Sequence, residues 1–174
     1  NVGDVIMGDG YLSAIHGYNT SSGQTGDAGA ISIGQDGTEG PLAGNIQAAK
    51  LDARVTNAST GSRGGEIVMH SSGNVAITNA AGVAGDIFNG AVGENTGWSA
   101  SIRVLHNGSF IAGLISSRIS EANNRGYDRG EVTLDGAASD GAPTGSCVVD
   151  EIDTRSCLSG GSSTRVLPAS DVTI

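Results

Sequence analysis

Aromatic side chains are scarce in this chain of 174 residues, which has one Trp, two Phe and three Tyr. Large aromatic side chains supply much of the core of an ordinary globular domain. The core must therefore be built from Val, Ile, Leu, Ala and Met. The length is sufficient to bury such a core in one domain.

Further shortages exclude several classes of protein. Lys and Arg total 9 against 18 Asp and Glu, and the resulting net charge of −9 argues against nucleic acid or an anionic membrane as a partner. No apolar run approaches the roughly 20 residues of a transmembrane helix, so we expect no membrane insertion. The 29 Gly and 3 Pro follow no Gly-X-Y period, which excludes collagen. The sequence lacks an initiator Met and a signal peptide, which indicates a mature form or an excised fragment.

The only two cysteines, Cys147 and Cys157, stand ten positions apart. A bond between them would close a short loop and stabilise the fold by roughly 2–3 kcal/mol. It would also indicate an oxidising, extracytoplasmic setting. We predict this disulfide, and two free thiols are the alternative.

A short phrase recurs along the chain, in which a small or acidic residue precedes an apolar–x–apolar couplet. Its six copies are "GDVIM" (3–7), "GAISI" (29–33), "GEIVM" (65–69), "ASIRV" (100–104), "GEVTL" (130–134) and "SDVTI" (170–174). The couplets are Val5/Met7, Ile31/Ile33, Ile67/Met69, Ile102/Val104, Val132/Leu134 and Val172/Ile174. We expect these couplets to form columns in the core.

A second phrase follows the first after a turn. It appears as "GNIQA" (44–48), "GNVAI" (73–77), "GSFIA" (108–112) and "GSCVV" (145–149). Segments rich in Gly, Asn, Asp and Ser separate the phrases, and this composition is typical of turns. No window keeps the 3.6-residue period of a helix for long, so the pattern predicts an all-β protein.

The recurrence of one phrase per unit in one register favours a parallel β-helix, in which equivalent strands stack about 4.8 Å apart. We predict a single β-solenoid domain over residues 1–174, with five to six coils that start near 3, 29, 65, 100, 130 and 170. The alternative is a β-sandwich of antiparallel hairpins.

The residue before each first apolar position should point outward. This column would contain Asp4, Ala30, Glu66, Ser101, Glu131 and Asp171. Neighbouring like charges repel, and a hard cation such as calcium could offset them at Glu131, Asp171 and Asp4. We favour a solvated acidic face over this calcium site and expect no other cofactor. Asn45 and Asn74 occupy equivalent places and are expected to form an amide ladder.

Few side chains are arranged as catalysis requires. The three histidines are isolated in sequence, although His70 and His106 share nearly the same offset and are expected to stack at the surface. Asp150, Glu151 and Asp153 form the one dense acidic cluster, with few aromatic residues to bind a sugar ring. We predict that the chain is not an enzyme. The alternative is a β-helix that binds or depolymerises polysaccharide, with surface glycans as its ligands.

The stretch "GGEIVMHSSGNVAI" (64–77), with "GAISI" and "GEVTL" as sister copies, resembles the haemagglutinin-type repeats of the filamentous haemagglutinin group of secreted bacterial exoproteins. The resemblance implies a right-handed parallel β-helix used as an extracellular, cell-surface fibre or adhesin. Those repeats carry no catalytic residues, so none are transferred to this chain. Two cysteines and the lack of a recognisable amino-terminal secretion domain depart from the pattern.

The two ends of the sequence carry the same phrase and no obvious cap. Either the chain is a segment of a longer array, or copies stack head to tail into a homopolymer. A contact of this kind is open and generates a filament. The predicted interface contains Asp4, Val5, Ile6 and Met7 of one copy and Asp171, Val172, Thr173 and Ile174 of the next.

Overall fold

The computed structural model describes residues 3–17, 26–34, 43–56, 62–92, 97–121, 130–136, 145–154, 156–158 and 172–174. Within these ranges the chain forms no helix, and every pairing between its strands is parallel. This confirms the all-β prediction. The only antiparallel contact in the same ranges is a single bridge between Thr78 and Ala84.

The strands follow one another in a similar order in five successive passes of the chain. The first pass contains β1 (Val5–Ile6), β2 (Tyr11–Ser13), β3 (His16–Gly17) and β4 (Ile31–Ile33). The second contains β5 (Ile46–Ala48), β6 (Lys50–Asp52), β7 (Val55–Thr56), β8 (Ser62–Arg63) and β9 (Ile67–Ser71). The third contains β10 (Val75–Ile77), β11 (Ile87–Phe88), β12 (Ala91–Val92), β13 (Gly97–Trp98) and β14 (Ile102–His106). The fourth contains β15 (Phe110–Ser116), β16 (Ile119–Glu121) and β17 (Val132–Asp135), and the fifth β18 (Cys147–Asp153), β19 (Ser156–Leu158) and β20 (Val172–Thr173).

Strands that hold the same place in consecutive passes pair with one another. One sheet has the order β4-β9-β14-β17-β20, a second has β3-β7-β12-β16-β19, and β8 pairs with β13. The largest sheet has two rows, β1-β5-β10 and β2-β6-β11, which both join the long strand β15, and β18 pairs with β15. Each sheet is therefore built from equivalent strands of successive passes.

The pairing register places like residues over like. Ile31, Ile67, Ile102, Val132 and Val172 are partners in one column, and Ile33, Met69, Val104 and Leu134 are partners in the next. The eight residues predicted as core columns (Ile31, Ile33, Ile67, Met69, Ile102, Val104, Val132 and Leu134) are all buried, with exposures of 7% or less. Alternation along a strand explains why both members of each couplet point to the same side.

The first copy of the phrase, residues 3–7, lies in a different sheet from the other five. Val5 pairs with Ile46 and Ile6 pairs with Gln47, so this segment belongs with the second phrase. Its column contains Val5, Ile46, Val75, Phe110 and Cys147. The passes therefore begin near 3, 44, 73, 108 and 145, and the predicted starts near 29, 65, 100, 130 and 170 mark the last strand of each pass. The two phrases share one apolar pattern, so the pattern could not assign residues 3–7 to a sheet.

The predicted Cys147–Cys157 disulfide does not form, because Cys147 is an exposed free thiol. Cys147 begins β18 in the largest sheet, whereas residue 157 lies in β19 of another sheet. A seven-residue strand such as β18 spans roughly 20 Å at about 3.3 Å per residue. A disulfide requires Cα atoms within about 7 Å of each other, whereas residue 157 follows the far end of β18 from Cys147.

Replacement of Phe110 by Ala should remove the largest fully buried side chain among the described residues, which is 0% exposed. We expect the free energy of unfolding to fall by about 3–5 kcal/mol, because the substitution leaves a cavity in the core. Urea denaturation followed by circular dichroism measures this loss. Val83→Ala is the control, because Val83 is 63% exposed and its truncation should change stability by less than about 0.5 kcal/mol.

Candidate functional site

A line of polar side chains crosses all five passes at the turn before the first strand of each pass. We call Asp4, Asn45, Asn74, Ser109 and Ser146 the turn ladder. Asp4 Oδ1 accepts a hydrogen bond from the Asn45 backbone N–H at 2.7 Å, and Asn45 Oδ1 accepts one from Asn74 at 3.0 Å. Asn74 Oδ1 accepts from the Ser109 backbone N–H at 2.8 Å, and Ser109 Oγ from that of Ser146 at 3.4 Å. The predicted alignment of Asn45 with Asn74 is therefore a side-chain-to-backbone ladder that extends beyond these two residues.

A glycine precedes every member of the turn ladder, and four of the five are confined by the preceding pass. A Cβ on Gly73 would lie 2.6 Å from Asn45 Oδ1, which is closer than real Cβ contacts. A Cβ on Gly44 or Gly108 would overlap the ladder oxygen of the preceding pass, and one on Gly145 would overlap the Gly108 carbonyl oxygen. The repeated Gly-Asx and Gly-Ser steps are therefore a steric requirement of the ladder.

The fifth ladder glycine is an exception. Gly3 precedes Asp4 as the other glycines precede their ladder residues, yet a Cβ on Gly3 would meet nothing within 4 Å. Gly3 lies at the edge of the first pass, so within the described chain no earlier pass confines it.

The outer edges of the first and last passes expose apolar side chains. Ile6 and Tyr11 are 60% and 64% exposed in the first pass, and Val148 and Val172 are 50% and 42% exposed in the last. Cys147 is also exposed, although it continues the column in which Phe110 is completely buried. Ile6, Tyr11 and Val148 point outward, because they alternate with inward residues. Of the inward residues at the edges, Val5 and Leu12 are half-buried and Cys147 and Val172 are exposed, whereas Ile31 of the first pass is buried. The inward columns are therefore incompletely covered in the largest sheet at both edges and at Val172.

The predicted polymer-interface residues occupy these two edges but different sheets. Asp4, Val5, Ile6 and Met7 lie at the edge of the largest sheet, where Val5 pairs with Ile46. Val172 and Thr173 pair with Val132 and Thr133 in another sheet, Ile174 follows them with 79% exposure, and Asp171 lies outside the described residues. The first-pass strand equivalent to Val172–Thr173 is Ile31–Ile33.

The acidic column predicted to favour calcium is not continuous. Asp4 lies in the turn ladder of another sheet, and Asp171 lies outside the described residues. Glu131 is exposed, and its Oε1 accepts a hydrogen bond from Thr133 Oγ1 at 3.2 Å. The described part of the chain contains no group of three or more His, Cys, Asp or Glu residues that could hold a metal ion.

His70 and His106 do not stack as predicted, because the register offsets them by one residue. His70 lies opposite Leu105, and His106 lies opposite Ser71. His106 is 1% exposed, its Nδ1 donates to the Gly108 carbonyl oxygen at 2.6 Å, and its ring stacks on Phe110 with centroids 5.9 Å apart. This histidine stabilises a corner of the chain.

The acidic cluster lies along β18. Asp150 and Glu151 are exposed, whereas Asp153 is only 6% exposed. Among the described residues the exposed aromatic side chain is Tyr11, which lies at the opposite edge of the same sheet, four strand spacings or roughly 19 Å away. Within the described residues the cluster therefore has no neighbouring exposed aromatic platform for a sugar ring.

A charged cluster that sequence reasoning missed surrounds Asp52, which is 1% exposed. Arg54 donates to both carboxylate oxygens, at 2.8 and 2.6 Å, and Lys50 Nζ lies 2.8 Å from Oδ2. Both cations also lie over the Phe88 ring, at 4.2 Å for Arg54 and 5.0 Å for Lys50.

Burial raises the pKa of Asp52, but hydrogen bonds and charge from Arg54 and Lys50 outweigh this effect, so the net pKa of Asp52 is lowered. The alternation of charged and apolar residues in "KLDAR" (50–54) is the sequence signal from which this cluster could have been predicted. Because the buried carboxylate is fully engaged by Arg54 and Lys50, the cluster is a structural feature.

Comparison with family models, curated proteins and solved structures finds no match to this chain. Its described residues include no helix that is long and apolar enough to cross a membrane.

Replacement of Gly108 by Ala should destabilise the protein, because the new Cβ would meet the Asn74 side chain and the Gly73 backbone. We expect a loss of about 1–3 kcal/mol in the free energy of unfolding, the usual cost of overpacking. Gly3→Ala is the matched control and should leave stability almost unchanged, since nothing lies within 4 Å. Equal effects of the two substitutions in urea denaturation would contradict the steric role of the ladder.

Stability should depend on the ionisation of Asp52 at low pH. Because folding lowers the pKa of this carboxyl from about 3.8, its contribution is complete above that value and is lost as the pH falls through the lower folded-state pKa. Wild type should therefore be more stable than Asp52→Asn at pH 6, and this difference should shrink below about pH 3.8. Urea denaturation of both proteins across this range measures the difference. A difference that stays constant with pH would be inconsistent with the assignment.

Proposed function

We propose that this chain is a non-catalytic, extracellular structural protein, a parallel β-helix that forms a segment or subunit of a surface fibre or adhesin. The observation that best supports this function is that strand order, pairing register and the turn ladder repeat through five passes. In this proposal the β-helix is a single domain over residues 1–174.

The parallel β-helix is supported by the separation of paired strands along the sequence. Paired strands lie about one pass apart, as in Val5 with Ile46 and Val75 with Phe110. The chain must return to the same lateral position after each pass to make these contacts. Five passes at about 4.8 Å each would place the last roughly 19 Å above the first.

The extracellular assignment is supported by the likeness of residues 64–77 to haemagglutinin-type repeats. This stretch contains β9, the last strand of one pass, and β10, the first strand of the next. Between them, Ser71 Oγ accepts a hydrogen bond from the Gly73 backbone N–H at 3.0 Å. The repeat motif therefore corresponds to one corner of the proposed β-helix.

The non-catalytic assignment is supported by how the described chemical groups are used. His106 and Asp52 are buried and bonded to neighbouring structural groups. The exposed pair Asp150 and Glu151 favours the alternative function, a polysaccharide-binding or depolymerising β-helix. Carboxylates in glycosidases act as a spaced pair on either side of a bound sugar.

A glycan screen separates the two functions. Wild type and the double variant Asp150→Asn/Glu151→Gln should both leave neutral and acidic polysaccharides intact, with and without calcium. In the same preparations, electron microscopy should show particles that lengthen with protein concentration at constant width. Turnover by wild type that the double variant loses would contradict the structural function.

A further inference from the structure

We propose that copies of this chain stack in one defined register, with β18 of one copy on β1 and β2 of the next and β20 on β4. This inference rests on the proposed function and specifies the contact that the fibre would use. It differs from an alignment of residues 170–174 on residues 3–7, because Val172–Thr173 and Val5–Ile6 lie in different sheets.

The empty space beside Gly3 is the first argument. The other ladder glycines, Gly44, Gly73, Gly108 and Gly145, each lack a Cβ because the preceding pass occupies that space. Gly3 has the same place in the repeat but no neighbour within 4 Å of its added Cβ. A preceding pass contributed by a second copy would fill this space as the other passes do.

The turn ladder supplies the second argument, because it has a direction. Each ladder oxygen accepts the backbone N–H of the ladder residue one pass later, from Asp4 through to Ser146. Ser146 Oγ donates to Ser109 Oγ at 3.4 Å, and its lone pairs could accept the next such N–H. In the stacked register that donor is Asp4 of the second copy, which begins its own ladder.

The backbone hydrogen bonds at the edges are complementary in the same register. The inward residues of the first strand donate to the following pass, with Val5 to Asn45, Ile46 to Asn74 and Phe110 to Ser146 at 2.8 Å. By continuation, Cys147 would donate its backbone N–H to the Asp4 carbonyl oxygen of the next copy. Main-chain pairing of this kind is the basis of strand addition at a sheet edge.

The inward columns provide the third argument. Cys147, Val149, Ile152 and Val172 end four columns whose preceding members Phe110, Ala112, Ile115 and Val132 are at most 1% exposed. Val5, Met7, Leu12 and Ile31 begin the same four columns. Stacking would place aliphatic side chains over aliphatic side chains. Ile31 is already buried, so the apolar surface removed from water belongs to Val5, Met7 and Leu12 at one edge and to the four column ends at the other.

Cross-linking tests the register directly. In a Cys157→Ser background, Val5→Cys would lie over the native Cys147 of the neighbouring copy at about 4.8 Å between strands, which a short thiol-to-thiol reagent can bridge. Partial desolvation raises the pKa of the Cys147 thiol, so the reaction should be run at mildly alkaline pH. We expect a ladder of covalent multimers on a denaturing gel. Leu12→Cys in the same background is the matched control and should yield only monomers, because Leu12 aligns with Ile152.

Gly3→Val provides an independent test that does not require chemical reaction. Within one copy the added Cβ meets nothing within 4 Å, whereas the side chain would obstruct an incoming pass. This variant should therefore stay monomeric and keep the wild-type urea midpoint. Ala81→Val, at the exposed hairpin tip, should assemble as wild type does. Because each copy carries a net charge of −9, sedimentation should be measured at moderate salt to screen repulsion.

The outcomes separate this inference from the proposed function. Multimers with Val5→Cys and not with Leu12→Cys, together with loss of assembly in Gly3→Val, support the register. Filaments that form without the Val5→Cys cross-link, or that tolerate Gly3→Val, overturn the register and leave the fibre function standing. If wild type remains monomeric and does not cleave glycans, self-stacking is overturned but a role as a fibre segment is not. Glycan turnover by wild type contradicts the proposed structural function itself.

Discussion

The structure depends on hydrogen bonding between the backbones of consecutive passes. Val5, Ile46 and Val75 donate to the pass that follows at 2.8 to 2.9 Å, and this contact recurs at the same place in each pass. It requires the backbones of neighbouring passes to lie about 4.8 Å apart. At the corners this separation leaves no space for a Cβ, which explains why Gly73 and Gly108 precede ladder residues.

Stacking in register also determines the composition of the interior. Each inward side chain has the equivalent residue of the neighbouring pass directly above or below it, so one column repeats similar shapes. Aliphatic residues fill such columns efficiently, and among the described residues Phe110 is the one aromatic side chain that is fully buried. The scarcity of aromatic residues is thus a consequence of the repeat.

The polar chemistry of the described residues is mostly used for structure. Asp52 forms ion pairs with Lys50 and Arg54, His106 bonds a corner carbonyl, and the turn ladder bonds one pass to the next. Among the described residues, the edge strands of the first and last passes present backbone groups and inward columns that a further strand could extend. This distribution is the reason that we propose association of strands, and not catalysis, as the function.

The sequence by itself determined the all-β class, the aliphatic core columns and the equivalence of Asn45 with Asn74. These follow from local alternation and from turn composition, which are properties of neighbouring residues. Only the tertiary structure decided that residues 3–7 pair with Ile46, that Cys147 is a free thiol, and that Asp52 is buried between Arg54 and Lys50. Each of these depends on which pass a segment lies against, and a short apolar–x–apolar couplet fits either of two sheets equally well.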